Sequence, residues 1–160
     1  MKKKVRNAVR CFILTNNQVV CIKYLKGRIG YYDIPGGKIE ENETPIQTVL
    51  RECYEETGLS VKNPKFKGIM NVECPNIIYN FKVFVVNDYV GEPQIFEENI
   101  SKWIKIEELN LKKRKFANTV LLEKNNINLL LNEEKIFEIF IKCDSEDNIF
   151  ELTTKLIERK

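Results

Sequence analysis

The sequence predicts one domain of the α/β class. Two β-rich runs meet at the turn signal Asn16-Asn17 near the N-terminus, and further strand-like runs follow residue 60. Between them, one segment changes to the periodicity of an amphipathic helix. The 160 residues fit a single hydrophobic core, and 43% hydrophobic and 31% charged residues are ordinary for a globular protein. We therefore expect a single domain, residues 1–160.

The helix is predicted together with both of its ends. Thr44, Pro45 and Gln47 match an N-cap, a proline at the first helical position and a capping-box partner. Gly58 is the residue type that commonly ends a helix in a left-handed conformation. Apolar residues at helical spacing predict the buried stripe: Ile46, Val49, Leu50 and Cys53.

Strands are predicted on the C-terminal side of the helix. The predicted strands are KFKGIMNVEC, IIYNFKVFVVND and ISKWIKI, with a turn at VGEP. A loop and a second helix are predicted in IEELNLKKRKFANTVLLEKNN. The C-terminal extension, from about residue 127 to residue 160, contains KIFEIFIKC, which alternates like a strand, and NIFELTTKLIERK, which fits a strand or a terminal helix.

Composition excludes several classes of function. The net charge is +3, from 26 basic and 23 acidic residues, so nothing indicates a stable nucleic-acid partner. Arg6 and Arg10 interrupt the first apolar run, which argues against a signal peptide, and no apolar run approaches the roughly 20 residues of a membrane span. Five scattered cysteines without any histidine predict reduced, structural thiols and a cytoplasmic location. We expect a monomer or a homodimer.

Three glutamates share one side of the predicted helix. Glu52, Glu55 and Glu56 lie at i, i+3 and i+4, so their negative charges repel one another. One explanation is a solvated face with an ion pair between Arg51 and Glu55. The other is that divalent cations hold the carboxylates together, because Mg²⁺ and Mn²⁺ prefer oxygen ligands.

The wider spacing favours the second explanation. Five residues separate Gly37 from Glu43, seven more lead to Arg51, and the segment continues as RECYEETGL to Leu59. This pattern resembles the Nudix box, GX5EX7REUXEEXGU, in which U is a bulky apolar residue, and Cys53 is the only unusual U. The resemblance implies the Nudix fold, an α/β/α sandwich with a mixed β-sheet in which the box, residues 37–59, forms a loop-helix-loop.

The resemblance also implies roles for the residues of the box. The reaction is the hydrolysis of a nucleoside diphosphate linked to another group, with Mg²⁺ as cofactor and Mn²⁺ as a possible substitute. Arg51 and Glu43 match residues that brace the catalytic glutamates, Glu52 matches the general base of MutT-type members, and Gly37 and Gly58 are structural positions of the motif. The implied metal ligands are the Gly36 carbonyl and the carboxylates of Glu52, Glu55 and Glu56.

Further likeness to MutT-type members suggests the substrate, a nucleoside triphosphate such as 8-oxo-dGTP. The segment GEPQIFEENISKW resembles theirs and indicates Glu97 as a distal metal ligand. Asn118 stands fifteen residues after Trp103, where those enzymes keep an asparagine that reads the purine, although it also fits a helix N-cap. Ile34 occupies the position of their base-contacting aromatic ring, so Tyr32 or Tyr31 is the alternative stacking residue, unless both belong to the core.

Alternatives to this substrate remain open. Pro75 lies where ADP-ribose pyrophosphatases often carry proline, although a turn in ECPN explains it equally well. RNA with a 5′-triphosphate is a further possible substrate. A non-catalytic nucleotide-binding module is a different class of function, but such modules usually lose box glutamates. Three roles are open for the C-terminal extension: an addition to the sandwich, a cover for the nucleotide pocket, or a dimer contact.

Overall fold

The computed structural model describes residues 2–27, 29, 32–111, 127–146 and 148–158. Asn118, Tyr31 and most of the predicted second helix lie outside these residues. The elements, in chain order, are β1 (Lys4–Thr15), β2 (Gln18–Tyr24), β3 (Tyr32–Asp33), β4 (Gly36–Lys38), α1 (Pro45–Thr57), β5 (Ser60–Lys62), β6 (Lys65–Glu73), β7 (Ile77–Val86), β8 (Asp88–Val90), β9 (Asn99–Lys105), a 3₁₀ helix (Ile106–Leu111), α2 (Ile127–Leu131), β10 (Lys135–Cys143) and β11 (Ile149–Glu158).

A mixed β-sheet forms the centre of the protein. Among the described residues its strand order is β11-β10-β6-β7-β1-β2-β3, with β4 paired to β1 and β9 paired to β2. The pairs β1–β7 and β10–β6 are parallel, and the other pairs are antiparallel. Strand β1 pairs with β7 and β4 along most of its length, then with β2 at Leu14 and Thr15. It therefore joins the two halves of the sheet.

Hydrophobic clusters lie on both faces of the sheet. Helix α1 contributes Val49 and Cys53 to one cluster, together with alternate residues of β1 such as Val9. The intervening residues of β1, for example Phe12, face the other cluster, to which α2 contributes Leu130. This alternation follows from the twofold periodicity of a strand. The α/β class and the mixed sheet predicted from the sequence are confirmed.

Most predicted strands are confirmed, and the structure also decides the open case. The hairpin turn lies at Asn16-Asn17, and KIFEIFIKC forms β10. The terminal segment that fitted a strand or a helix is a strand, β11, which forms an antiparallel hairpin with β10. The short strands β5 and β8 pair with each other and were not predicted. In the described part of the chain, no helix is long and apolar enough to span a membrane.

Candidate active site

Helix α1 begins and ends as its sequence predicts. The Thr44 hydroxyl accepts a hydrogen bond from the Gln47 N–H at 3.1 Å, and the Gln47 side chain accepts one from the Thr44 N–H at 2.9 Å. Gly58 is left-handed, with φ of 80°, and its N–H donates to the Tyr54 carbonyl at 2.9 Å. A side chain at this position would be strained. The two caps therefore fix the ends of α1, and with them the positions of its glutamates along the helix axis.

The predicted buried stripe of α1 is wrong for two of its four residues. Val49 and Cys53 are fully buried, but Ile46 is 46% exposed and Leu50 is 40% exposed. Thr48 and Thr57 are buried instead. The helix is rotated relative to the apolar stripe, so that the side that carries Glu52 and Glu56 faces strand β4. A search for apolar residues alone misses this rotation, because the buried side includes threonines and half-buried glutamates.

Arg51 links the acidic residues at the start of the box. Its guanidinium donates two hydrogen bonds to Glu43, from Nε to Oε2 at 2.8 Å and from Nη2 to Oε1 at 2.9 Å. It also donates to Glu52 at 2.8 Å, to Glu55 at 3.2 Å and to the Lys38 carbonyl at 3.2 Å. A planar guanidinium suits such a fork because its donors are fixed in one plane. The positive charge of Arg51 therefore offsets the repulsion among the carboxylates of Glu43, Glu52 and Glu55.

Glu43 also accepts hydrogen bonds from the first turn of α1 and from the loop before it. The Thr48 hydroxyl donates to its Oε1 at 2.7 Å, and the Glu40 N–H donates to the same oxygen at 3.2 Å. These hydrogen bonds, with that of Arg51 the largest contribution, lower the pKa of Glu43 to about 2. Glu43 is therefore an ionised anchor for Arg51 at neutral pH.

The backbone of the PGG segment, Pro35-Gly36-Gly37, lies against the glutamates of α1. A methyl group added at Gly37 would stand 2.3 Å from Glu52 Oε1, so a side chain at this position would require the Glu52 carboxylate to move. The Gly36 N–H donates a hydrogen bond to Glu56 Oε1 at 3.0 Å. Gly36 and Gly37 therefore lie next to two different carboxylates, those of Glu56 and Glu52.

Glu52 and Glu56 form a close carboxyl pair. Burial is the main reason why the pKa of Glu56 is raised well above its ordinary value. The Gly36 N–H and the charge of Arg10 act against this rise, whereas the charge of Glu52 adds to it. Because the two carboxyl groups interact, they titrate as a pair, and a bound cation would favour the ionised form of both.

The third glutamate does not join this pair. Glu55 has 56% of its side chain exposed and forms an ion pair with Arg51, as the alternative reading of the sequence expected for this residue. Within the described residues, no group of three or more His, Cys, Asp or Glu side chains is arranged so that it holds a metal ion. The metal-binding role of Gly36, Glu52, Glu55 and Glu56 stays a prediction.

Glu97 lies at the surface. Its side chain is 88% exposed, and its carboxylate is 3.6 Å from Lys26 Nζ. The segment before it is attached to the end of α1, because the Gln94 N–H donates to the Thr57 carbonyl at 2.9 Å. The role of Glu97 as a distal metal ligand therefore also stays a prediction.

Ile34 and Tyr32 belong to the hydrophobic core. Ile34 is 1% exposed and Tyr32 is 6% exposed, so their side chains present almost no surface to a ligand. The intervening Asp33 fixes the local backbone, since it accepts hydrogen bonds from the Ile34 N–H at 2.8 Å and the Tyr24 hydroxyl at 3.0 Å. The core alternative for Tyr32 describes this placement, and substrate contact by either residue remains a prediction.

The structure adds an arginine that the sequence did not single out. The positive charge of Arg10 favours the ionised form of Glu56 and so opposes the rise of its pKa. The Arg10 guanidinium donates a hydrogen bond to the Ile34 carbonyl at 3.4 Å and lies 5.0 Å from the centre of the Phe81 ring. Phe81 is in turn stacked with Tyr79, at 5.6 Å between ring centres and an angle of 5°. An arginine inside a strand carries no local signal, because the partner aromatics come from β7, about seventy residues away.

A comparison with known families identifies this arrangement. The profile of the NUDIX domain matches residues 4–124, which include all of the residues described above as contacts of α1. The chain belongs to the Nudix family. Nudix enzymes are hydrolases that act on phosphoric anhydride bonds, and they generally use divalent metal ions. The crowded glutamates therefore belong to the Nudix box, as the spacing predicted.

Two related proteins and one solved structure show which members of the family the chain is similar to. The 8-oxo-dGTP diphosphatase of Haemophilus influenzae is 32% identical over 105 residues, which cover 66% of this chain and 74% of that protein. The NAD-capped RNA hydrolase NudC of Mannheimia succiniciproducens is 36% identical over 99 residues, or 60% of this chain, but the match spans only 35% of that protein. A crystal structure of a MutT protein from Bacillus halodurans has a TM-score of 0.76 at 23% identity and covers 94% of this chain and 97% of its own. This structural likeness shows the fold alone.

Proposed function

We propose that the chain is a Mg²⁺-dependent pyrophosphohydrolase that converts a purine nucleoside triphosphate, with 8-oxo-dGTP the first candidate, to the monophosphate and pyrophosphate. The observation that carries the proposal is the Glu52–Glu56 carboxyl pair, held between Arg51 and the backbone of Gly36 and Gly37. Relatives named 8-oxo-dGTP diphosphatase from Haemophilus influenzae, Proteus vulgaris and Escherichia coli support the substrate.

The carboxyl pair fits a hard divalent cation. Its donors are carboxylate oxygens, which Mg²⁺ and Mn²⁺ prefer, and the raised pKa of Glu56 indicates a site that lacks positive charge. We assign Glu52, Glu56 and the Gly36 carbonyl as the ligands, with Glu55 and Glu97 completing the set. When bound, the ion would neutralise charge on the phosphates and lower the pKa of the water that attacks them.

The chain's own residues have separate tasks. Glu52 takes the proton of the attacking water, the new bond forms at one phosphorus, and the bond from that phosphorus to the leaving phosphate oxygen breaks. Arg51 and Glu43 keep the Glu52 carboxylate in place through the hydrogen bonds described above. Arg10 offers a positive charge to the phosphates from its position near Glu56.

Other substrates have weaker support. The ADP-ribose or sugar-nucleotide alternative rested on Pro75, and Pro75 lies in a turn in which the Cys74 N–H donates to the Ile77 carbonyl at 2.8 Å. Its presence is explained by that turn. A non-catalytic regulator remains the alternative of a different class, and the complete box, with all three glutamates and Arg51 present, speaks against it.

The test is a substrate panel in the presence of Mg²⁺. The panel contains 8-oxo-dGTP, the normal dNTPs and NTPs, ADP-ribose, diadenosine polyphosphates and 5′-triphosphorylated RNA, with kcat/KM measured and products separated by chromatography. We expect 8-oxo-dGTP to exceed dGTP by at least roughly tenfold, with pyrophosphate as product. A chelator abolishes turnover, and added Mg²⁺ or Mn²⁺ restores it.

A matched pair of variants separates catalysis from folding. Glu52→Gln lowers kcat by about a hundredfold or more while nucleotide binding and the thermal unfolding curve persist. Glu41→Gln, an equivalent change at an exposed position of the loop between β4 and α1, leaves kcat unchanged. If ADP-ribose leads the panel, the triphosphate assignment is wrong. If nucleotides bind but nothing turns over, the chain is a binding module.

A further inference from the structure

The C-terminal strand ends the sheet with an open edge. In the described chain, β11 pairs with β10 on one side and with no strand on the other. It is ten residues long, and nine of the ten are exposed. A strand of this kind presents a row of unpaired backbone N–H and C=O groups, which is a template for another strand. Natural edges are usually blunted by proline, bulges or clustered charge.

The β10–β11 pairing has one irregularity, between Lys142 and Cys143, at which Phe150 has no partner on β10, and the rest of the edge carries apolar side chains among its charges. Phe150 is 68% exposed, Leu152 is 48% exposed and Leu156 is 47% exposed. Leu152 and Leu156 lie opposite the buried Ile141 and Phe137 of β10, so they continue the apolar face of the sheet beyond its last paired strand. A large apolar surface at the rim of a sheet marks a site of association.

The sequence of β11 is complementary to itself when it is reversed. If two copies run antiparallel with Thr153 opposite Thr153, then Glu151 faces Lys155 of the second copy and Phe150 faces Leu156 of the second copy. Opposite charges and paired apolar side chains on neighbouring strands stabilise a sheet, whereas a shift of the register by one residue would place Leu152 opposite Lys155 in one direction and Phe150 opposite Lys155 in the other. Each favourable pair occurs twice, as twofold symmetry requires.

We propose that β11 is a homodimerisation strand, which pairs antiparallel with β11 of a second copy about a twofold axis at Thr153. The pairing joins two sheets into one continuous sheet and covers both open edges, so association stops at two copies. A second copy is the occupant favoured by charge, because a strand with both Glu151 and Lys155 matches its own reverse. The proposal is independent of the substrate, since β11 contributes no residue to the carboxyl pair.

Cysteine cross-linking tests the register. Thr153→Cys places two thiols directly opposite each other, within the range of Cα separations that a disulfide bridges. Thr154→Cys is the matched control, because each new thiol would face Leu152 of the second copy and lie two positions from its counterpart. The native cysteines are all buried, so background oxidation is low. We expect a cross-linked dimer on a non-reducing gel for Thr153→Cys alone. Equal cross-linking of both variants, or of neither, overturns the register.

A charge exchange tests the partner. Sedimentation of the unchanged chain is expected to show a mass that doubles with rising concentration. Glu151→Lys and Lys155→Glu each place like charges opposite each other, and each weakens self-association by about tenfold or more. Mixing the two variants restores complementary charges on both sides, so the mixture dimerises although neither variant does alone.

A control and two outcomes complete the test. Lys62→Glu, a charge reversal on the exposed surface of β5, leaves dimerisation unchanged. If the unchanged chain stays monomeric at every concentration, the proposal is overturned, and β11 is then open to the strand of a different protein. If the mixed variants associate no better than either alone, or if larger open assemblies form, the twofold pairing is wrong.

Discussion

The Nudix box and the C-terminal hairpin contain the same kinds of charged residues in contrasting environments. In the box, Arg51 has 27% of its side chain exposed and Glu43 has 15%, and the shortest distance between them is 2.8 Å. In the hairpin, Lys142 and Glu151 are 50% and 53% exposed, and Lys135 is 3.7 Å from Glu158. The box pairs are enclosed and have several partners, whereas the hairpin pairs are solvated. We therefore expect burial and shared partners, rather than the presence of an ion pair, to determine how much a charged side chain contributes to stability.

The largest expected effect is the loss of Arg51. Arg51→Ala leaves Glu43 without its main partner and leaves Glu52 without the donor at 2.8 Å, so three nearby carboxylates repel one another. We expect the free energy of unfolding to fall by about 2–4 kcal/mol, because a partly buried charge loses its partner. We also expect kcat/KM to fall by about a hundredfold. Urea titration and steady-state kinetics measure the two effects.

Arg51→Lys distinguishes charge from geometry in the same site. Lysine keeps the positive charge but cannot form the fork to both oxygens of Glu43. We expect most of the stability to be recovered and most of the activity to remain lost. If Arg51→Lys is as active as the unchanged chain, neutralisation alone is sufficient, and the bracing role of Arg51 and Glu43 is wrong.

A smaller effect is expected from acid. The pKa of Glu43 is about 2 in the folded protein and about 4.5 as its ordinary value, so its ionised form stabilises the fold above pH 4.5. This stabilisation is lost as the pH falls from about 4.5 towards 2, because protonation then favours the unfolded chain. Glu43→Gln lacks the titration. The difference in unfolding free energy between the unchanged chain and Glu43→Gln should therefore shrink when melts are repeated from about pH 6 down to about pH 3.

The comparison with Glu43→Gln cancels the contributions of other acidic groups to the pH dependence of stability. Hydrogen bonds also lower the pKa values of Glu73, beside Lys3, and of Asp144, in the turn between β10 and β11. Both groups are present in both proteins, so their contributions cancel in the difference. A gap between the two proteins that is independent of pH would show that Glu43 acts by shape and not by charge.

The box was predictable because its determinants are local. The caps at Thr44 and Gly58 and the spacing of the glutamates all fall within one short segment, so the pattern of residues specifies the helix and the order of its carboxylates. The rotation of the helix was not predictable from its apolar residues, as Ile46 and Leu50 show. That rotation depends on contacts with the PGG backbone, which come from outside the helix.

The parts that the sequence did not predict depend on distant partners. Arg10 lies on β1 and its aromatic neighbour Phe81 lies on β7, and only their parallel pairing brings them together. The C-terminal segment was ambiguous for a similar reason. Strand β11 alternates weakly and leaves most of its residues exposed, so no buried face marked it as a strand before β10 supplied a partner.

The smallest expected effect is in the hairpin. Lys142→Ala removes the ion pair with Glu151 at 3.2 Å, but both side chains are half-exposed and water already solvates their charges. We expect the free energy of unfolding to change by less than about 0.5 kcal/mol, measured by urea titration at a concentration at which the chain is monomeric. A loss comparable with that of Arg51→Ala would mean that exposed pairs on this sheet are as important as the enclosed network, and that the contrast between the two regions does not come from burial.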